Sequence, residues 1–324
     1  MHRRRTINAM SVGSRPLVPS RMAPGGLGHG GRRSPKTVFG GYVALTKPRI
    51  IELLLITTVP TMVMAEKGWP ATSLVLVTLL GGTLAAGGAN AINMYVDRDI
   101  DKLMVRTQSR PLVTGLIEPR NALIFAVALQ IVAFAVLWAG ANLLSAFLAL
   151  GAALFYVFIY TLWLKRTSKQ NIVIGGAAGA VPVLVGWAAV RNDVTWAPVL
   201  LFGVMFMWTP PHFWALAIRH IDDYRAANVP MLPVVAPIKT VLRQMLIYTV
   251  IMVAGTLWLI PVGELGWIYG VGAAVLGALF IAGILALSQN PDPQKAMRLF
   301  GYSISYVTLL FGVLTADVLI RNGF

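Results

Sequence analysis

Long apolar runs alternate along the chain with short polar stretches, and the runs have the length of a membrane crossing. A helix needs roughly 20 mostly apolar residues to span about 30 Å of hydrocarbon. Scanning at that length predicts nine helices, at about 46–65, 71–92, 121–139, 141–163, 171–190, 196–218, 240–262, 266–288 and 300–320. Several are rich in small residues, as in Gly81-Gly82-Thr83-Leu84-Ala85-Ala86-Gly87-Gly88 and Gly175-Gly176-Ala177-Ala178-Gly179-Ala180. Such stretches let helix backbones approach closely in lipid. The predicted fold class is all-α, a polytopic membrane protein of nine transmembrane helices.

Composition agrees. Of 324 residues 57% are hydrophobic and only 12% charged, which excludes an ordinary soluble globular protein. The net charge of +15 suggests a nucleic-acid partner until the positions of the charges are considered. Arg3, Arg4, Arg5, Arg15, Arg21, Arg32, Arg33 and Lys36 fall in residues 1–40, which hold no acid and many Gly, Pro and Ser. That stretch is expected to be a disordered basic tail ahead of a single transmembrane domain at 41–324. An Arg-rich, acid-free start also suits a mitochondrial presequence, but its Gly and Pro density opposes an amphipathic helix, so a bacterial inner membrane is preferred. With the N-terminus cytoplasmic, 24 of the 27 lysines and arginines lie on the cytoplasmic side. Lys67, Arg191 and Arg321 alone remain outside, and the C-terminus with them. The basic excess is therefore topological, and no nucleic-acid partner is expected. The chain has no cysteine, so any metal must be held by oxygen or imidazole.

The densest chemistry follows the second run. Asn93, Asp97 and Asp101 are spaced i, i+4, i+8, which on a helix lines one amide and two carboxylates along one face. Stacked carboxylates repel unless a positive group lies between them, and all-oxygen ligation points to Mg²⁺ shared with a phosphate. One position along run Arg98, Lys102, Arg106 and Arg110, a basic stripe if the helix persists to Pro111. Acid for a metal beside base for anionic oxygens is what a diphosphate requires. The plainer reading is a solvated, positive-inside helix end, which explains the bases but not the aligned trio. After the sixth run, Asp223 and Tyr224 form a second locus that can hold another Mg²⁺ or close a lid, with Asp222 as a solvated neighbour. Lys165 and Arg166, after the fourth run, can reach phosphate or merely anchor the helix. His212 follows Pro210-Pro211 near the bilayer, where an ionisable residue is costly and usually functional. It can ligate iron, bond a carboxylate, transfer a proton, or simply bond a neighbouring helix.

The stretch from Asn93 to Asp101, with Arg106-Thr107-Gln108-Ser109-Arg110-Pro111-Leu112, resembles the first aspartate-rich motif of the UbiA superfamily of intramembrane prenyltransferases. Leu45-Thr46-Lys47-Pro48-Arg49, the segment from Leu164 through Thr167 to Asn171–Ala180, and Asp223 through Pro233 resemble its haem-modifying branch more narrowly. The likeness runs from about Gly41 to the C-terminus. Where the superfamily's second motif has two acids four residues apart, Asp223 here is followed at that distance by Ala227, so Tyr224 and Asp222 must substitute or the second metal site must be weaker.

The resemblance implies transfer of a farnesyl group from farnesyl diphosphate to a vinyl group of haem B inside the lipid bilayer, with a haem A synthase as a possible partner. Asn93, Asp97, Asp101 and Asp223 become the implied metal ligands, acting with Tyr224. Lys47, Arg98, Lys102, Arg110, Lys165 and Arg166 are implied to bind the diphosphate, and His212 to contact haem. Tyr95, Tyr156, Tyr160, Phe213 and Trp214 can stabilise an allylic cation with their ring faces. The helices are expected to surround a central cavity whose mouth opens to the cytoplasmic side under the loops after the second and sixth runs. Prenylation of a hydroxybenzoate or related quinone precursor is an alternative within the superfamily. A secondary transporter is an alternative outside it, opposed by the gathering of the acids at one face and not at the bilayer midplane.

Overall fold

The structure, a computed structural model, describes residues 35–323. Most of the basic tail expected at 1–40 lies outside the described residues, and its last six positions already belong to the first helix. The described residues contain helices and no strand. α1 (Pro35–Thr46) and α2 (Pro48–Glu66) meet at Lys47, and α3 (Thr72–Val96) and α4 (Pro119–Gly140) follow. α5 (Leu143–Leu154) continues through a π-helical stretch, Phe155–Leu164, into α6 (Lys165–Thr167) as one rod. Then come α7 (Asn171–Arg191), α8 (Trp196–Arg219), the short α9 (Ile221–Ala226) and α10 (Leu232–Val235), and finally α11 (Ile238–Val262), α12 (Trp267–Gln289) and α13 (Pro293–Asn322).

Among the described residues eight helices are long and apolar enough to cross a membrane: α3, α4, the α5–α6 rod, α7, α8, α11, α12 and α13. α2, with 19 residues, occupies the place of the first expected span. The last span differs most from expectation, because α13 starts at Pro293 and not near 300. Asp292 caps it by accepting the Lys295 N–H at 3.0 Å, and Pro293 suits the first turn.

The long helices pack in chain order, and α13 returns to α2, so the bundle closes into a ring; α2 with α7 and α8 with α13 also meet across it. The small residues supply the close approaches expected of them. A Cβ on Gly81 would sit 2.5 Å from the Leu137 side chain, and one on Gly186 would sit 2.7 Å from the Thr58 carbonyl oxygen. In lipid, where apolar side chains gain little by leaving their surroundings, such contacts and buried polar bonds carry the packing. Gln130 supplies one by donating to the Ala85 carbonyl at 2.6 Å.

The two ends of the ring are built differently. At one end, Asp317 is fully buried and accepts the Gly266 and Tyr269 N–H groups, tying the start of α12 to α13. At the other end the α3–α4 loop, the α6–α7 turn and α9 with α10 come together. There Ile100, Met104, Ile172, Ala217, Tyr224, Val229 and Met231 form a separate apolar cluster.

The Gly186 contact yields a direct test, since backbone cannot move aside as a side chain can. Gly186→Leu should lower thermal stability in detergent by about 1–3 kcal/mol through overpacking of α7 on α2, whereas Gly179→Leu, with open space beside it, should change it little.

Candidate active site

The aspartate-rich segment lies where α3 ends. The helix stops at Val96, and the chain proceeds through a turn and two short 3₁₀ turns, Ile100–Lys102 and Val105–Thr107. The stripe of bases expected to run to Arg110 on a continuous helix therefore does not form. The physical reason is local. Carboxylates crowd the negative end of the α3 dipole, and the backbone leaves the helix so that Thr107 can bond the Asp101 carbonyl at 2.7 Å. Arg98 folds back, bonding the Tyr95 carbonyl at 2.6 Å with its guanidinium 4.5 Å from the Tyr95 ring centre. Lys102 is exposed.

The trio itself survives the end of the helix. Asp97 and Asp101 are both 0% exposed, and the Asp101 N–H bonds the Asp97 carbonyl at 2.9 Å, which continues the turn. Asn93 donates to Asp97 Oδ2 at 2.8 Å and to the Thr161 hydroxyl at 3.1 Å. Its amide oxygen accepts from Lys47 Nζ at 2.6 Å. Lys47 reaches it from a left-handed backbone conformation, φ 55°, at the joint between α1 and α2. Such a conformation is unfavourable for a residue with a Cβ, so the local bonds must hold it.

Four cations from three places in the chain converge on this group. Lys165 Nζ bonds Asp97 Oδ2, and Arg110 donates to Asp101 Oδ2 at 2.6 Å. Arg166 makes a two-pronged bond to Asp99, 2.7 Å on each side, with Asp97 Oδ1 at 3.8 Å. That hydrogen bond to Arg166 holds the Asp99 carboxyl down at about 2. Lys47 is the fourth; burial, with the neighbouring Arg110 and Lys165 charges, pulls its ammonium down to about 7. The sequence-based set thus divides. Lys47, Arg110, Lys165 and Arg166 are brought to the acids, while Arg98 and Lys102 are not.

One oxygen of each central carboxylate is left over. Asp97 Oδ1 and Asp101 Oδ1 are buried with no hydrogen-bond partner. Such atoms are costly unless something else coordinates them, and a hard divalent cation fits a pair of them. Among the described residues no three His, Asp or Glu side chains gather as a metal-holding group. A cation here would complete its shell with substrate or water oxygens, as Mg²⁺ commonly does. Asp223, expected to hold a second cation or to close a lid, forms no metal-holding group with Asp97 and Asp101 among the described residues. Its Oδ1 accepts the Val105 N–H at 3.1 Å and its Oδ2 lies 3.6 Å from His220. Tyr224 is buried beneath the α3–α4 loop, and Asp222 is exposed beside Arg225.

Sequence reasoning missed Thr161, which anchors Asn93. It is fully buried, and its hydroxyl donates to the Tyr156 carbonyl five residues back, the spacing of the π stretch. The only signal was a small polar residue inside an apolar run. The same stretch stacks Tyr156 on Tyr160, with ring centres 5.4 Å apart, and leads directly into Lys165. Trp214 is buried in the main core against Tyr248, away from this group.

His212 lies deeper in α8, between Trp208 at 4.1 Å and Phe300 at 4.5 Å and edge-on to Phe213 at 5.0 Å. Its Nδ1 is 2.6 Å from the Ser303 hydroxyl, which itself donates to the Phe300 carbonyl. That hydroxyl proton is committed, so His212 Nδ1 carries the hydrogen and donates, leaving the Nε2 lone pair free.

The profile of the UbiA prenyltransferase family matches residues 54–310. The chain belongs to that family. A protoheme IX farnesyltransferase of Pseudarthrobacter chlorophenolicus is 54% identical over 281 residues, 85% of this chain and 88% of the relative. One of Streptomyces avermitilis is 52% identical over 286 residues, 86% and 94% of the two chains. In architecture the family member resembles a digeranylgeranylglyceryl phosphate synthase structure, with TM-score 0.73, 18% identity and coverage of 87% and 99%. It also resembles a UbiA homologue from Archaeoglobus fulgidus bound to GPP and Mg²⁺, with TM-score 0.59, 20% identity and coverage of 85% and 99%.

The buried pairing of Lys165 with Asp97 can be measured through stability. Lys165→Met should destabilise the apo protein by about 3 kcal/mol, because it strips a buried carboxylate of its bonded cation. Adding Asp97→Asn should recover part of that loss in thermal melts, whereas simple addition of the two effects would count against the pairing.

Proposed function

We propose that this family member transfers the farnesyl group of farnesyl diphosphate to a vinyl group of haem B, yielding the hydroxyethylfarnesyl side chain of haem O. The observation that carries this reading is the Asp97–Asp101 pair, buried among Lys47, Arg110 and Lys165 at one end of an apolar bundle. The names of relatives at about half identity favour haem over a hydroxybenzoate acceptor. The loop end of the ring is the cytoplasmic end, because the lysines and arginines gather there. The N-terminus is then inside, and a central cavity within the ring opens at this end. Both substrates suit the arrangement: isoprenoid and porphyrin partition into hydrocarbon, while the diphosphate stays at the polar edge. A haem A synthase is the partner expected to take the product.

Asp97 and Asp101 would hold Mg²⁺ through the two oxygens that have no hydrogen bond, with Asn93 beside them. When bound, the ion neutralises charge on the diphosphate and makes it a better leaving group. Lys165 and Arg110 then exchange part of their contact with the carboxylates for diphosphate oxygens, Lys47 does the same from the Asn93 amide oxygen, and Arg166 closes the edge from Asp99. These preorganised charges stabilise the diphosphate as the bond from its bridging oxygen to C1 of the farnesyl group breaks and the electron pair leaves with it. The stacked faces of Tyr156 and Tyr160 stand near the acids and stabilise the allylic cation. The vinyl π electrons form the new carbon–carbon bond to C1. Water adds to the resulting cation beside the porphyrin ring and loses a proton, which completes the hydroxyethyl group. His212, fixed by Ser303 with Nε2 available, is the haem iron contact.

Purified protein given haem B, farnesyl diphosphate and Mg²⁺ should form haem O by mass spectrometry, and unchanged haem would reject the reading. Asp97→Asn and Asp101→Asn should each lower turnover by at least about a hundredfold while inserting normally. His212→Ala should alter the haem absorption spectrum of the loaded protein, and added imidazole should restore it. An unchanged spectrum would make His212 a packing residue only.

A further inference from the structure

Asp223 stands where a second metal ligand is expected, yet its bonds are those of a fastener. Val105, whose N–H it accepts at 3.1 Å, belongs to the second 3₁₀ turn of the α3–α4 loop, 118 residues away in sequence. That turn controls the central acid. The Thr107 hydroxyl bonds the Asp101 carbonyl at 2.7 Å, the Arg110 N–H bonds the Thr107 carbonyl at 3.0 Å, and Arg110 in turn grips the Asp101 carboxylate. Around the fastener, Tyr224 packs with Ile100 and Met104 of the loop. The Arg106 and Arg110 charges lie near the Tyr224 hydroxyl. Four residues on, where a second acid would complete a metal site, stands buried Ala227. No other His, Asp or Glu joins Asp223 and His220 among the described residues to form a group of three.

We propose that Asp223 is a positioning residue and not a metal ligand: it latches the α3–α4 loop onto α9 through the Val105 N–H and so sets Asp101 and Arg110 for the diphosphate. This rests on the reading of Asp97 and Asp101 as the metal-binding pair. The latch needs an acceptor oxygen at position 223, while a metal ligand there needs its negative charge. Asparagine separates the two, since its amide oxygen still accepts the Val105 N–H.

The test uses hydrogen exchange of the full-length protein without metal or substrate, together with Mn²⁺ binding read by electron paramagnetic resonance. Asp223→Ala should speed exchange across residues 100–110 by about ten- to a hundredfold, the worth of a hydrogen bond to a charged group, and weaken Mn²⁺ binding. Asp223→Asn should keep loop protection and Mn²⁺ affinity within a few-fold of the parent. Val105→Pro deletes the N–H from the other side, at a position whose preceding residue is already extended, with Met104 at ψ 121°. It should reproduce Asp223→Ala, and the double variant should be no worse than either alone. Loss of Mn²⁺ affinity in Asp223→Asn as large as in Asp223→Ala would make Asp223 a ligand and overturn the proposal. Unchanged exchange in both Asp223→Ala and Val105→Pro would overturn it as well. Exchange is read without turnover, so a failed latch leaves the farnesyl-transfer reading standing, and a failed transfer assay leaves the latch measurable.

Discussion

Two carboxylates shut away from water, Asp97 and Asp101, impose much of the structure around them. A buried charge is tolerated only when paired and hydrogen-bonded, so each must be met by cations brought from elsewhere in the chain. Lys47 comes from a left-handed joint between two helices, Arg110 from the far side of a tight loop, and Lys165 from the end of a π-helical stretch. None of these conformations is the default for its segment. Each makes physical sense as a means of delivering charge to one place.

The helical ring supplies the rigidity that such a site needs. α5 bends its hydrogen-bonding pattern through Phe155–Leu164, which turns Thr161 toward Asn93 and delivers Lys165 to Asp97 at the end of the same rod. The close packing of α7 reinforces this, since a side chain at Gly175 would run into the Tyr160 ring at 2.2 Å. On the opposite side of the loop, α8 ends in the apolar cluster that seats Ile100 and Met104. The acids are thus held between the α5–α6 rod on one side and the cluster at the end of α8 on the other.

Much of this was legible in the sequence, because the signals are local. Apolar run length placed the spans within a few residues except at the start of α13, and the four-residue spacing of Asn93, Asp97 and Asp101 marked one face even though the helix stops at Val96. What was not legible depends on distant partners. The stop of α3 depends on a loop that closes back through Thr107, so extrapolating the helix to Arg110 placed Arg98 and Lys102 at the site when they lie outside it. Asp223 carried the residue type of a metal ligand, and its bond to the Val105 backbone N–H leaves no trace in residue identity. Thr161 was hidden because one hydroxyl hardly changes the hydropathy of the run around it.

The central claim is that the leftover oxygens of Asp97 and Asp101 bind the cation that carries the diphosphate. Anomalous scattering from Mn²⁺, in crystals grown with an unreactive thio analogue of farnesyl diphosphate, locates that cation directly. The account predicts a peak beside the Asp97 and Asp101 carboxylates, next to the diphosphate. A peak at Asp223, with none beside Asp97 and Asp101, would contradict it.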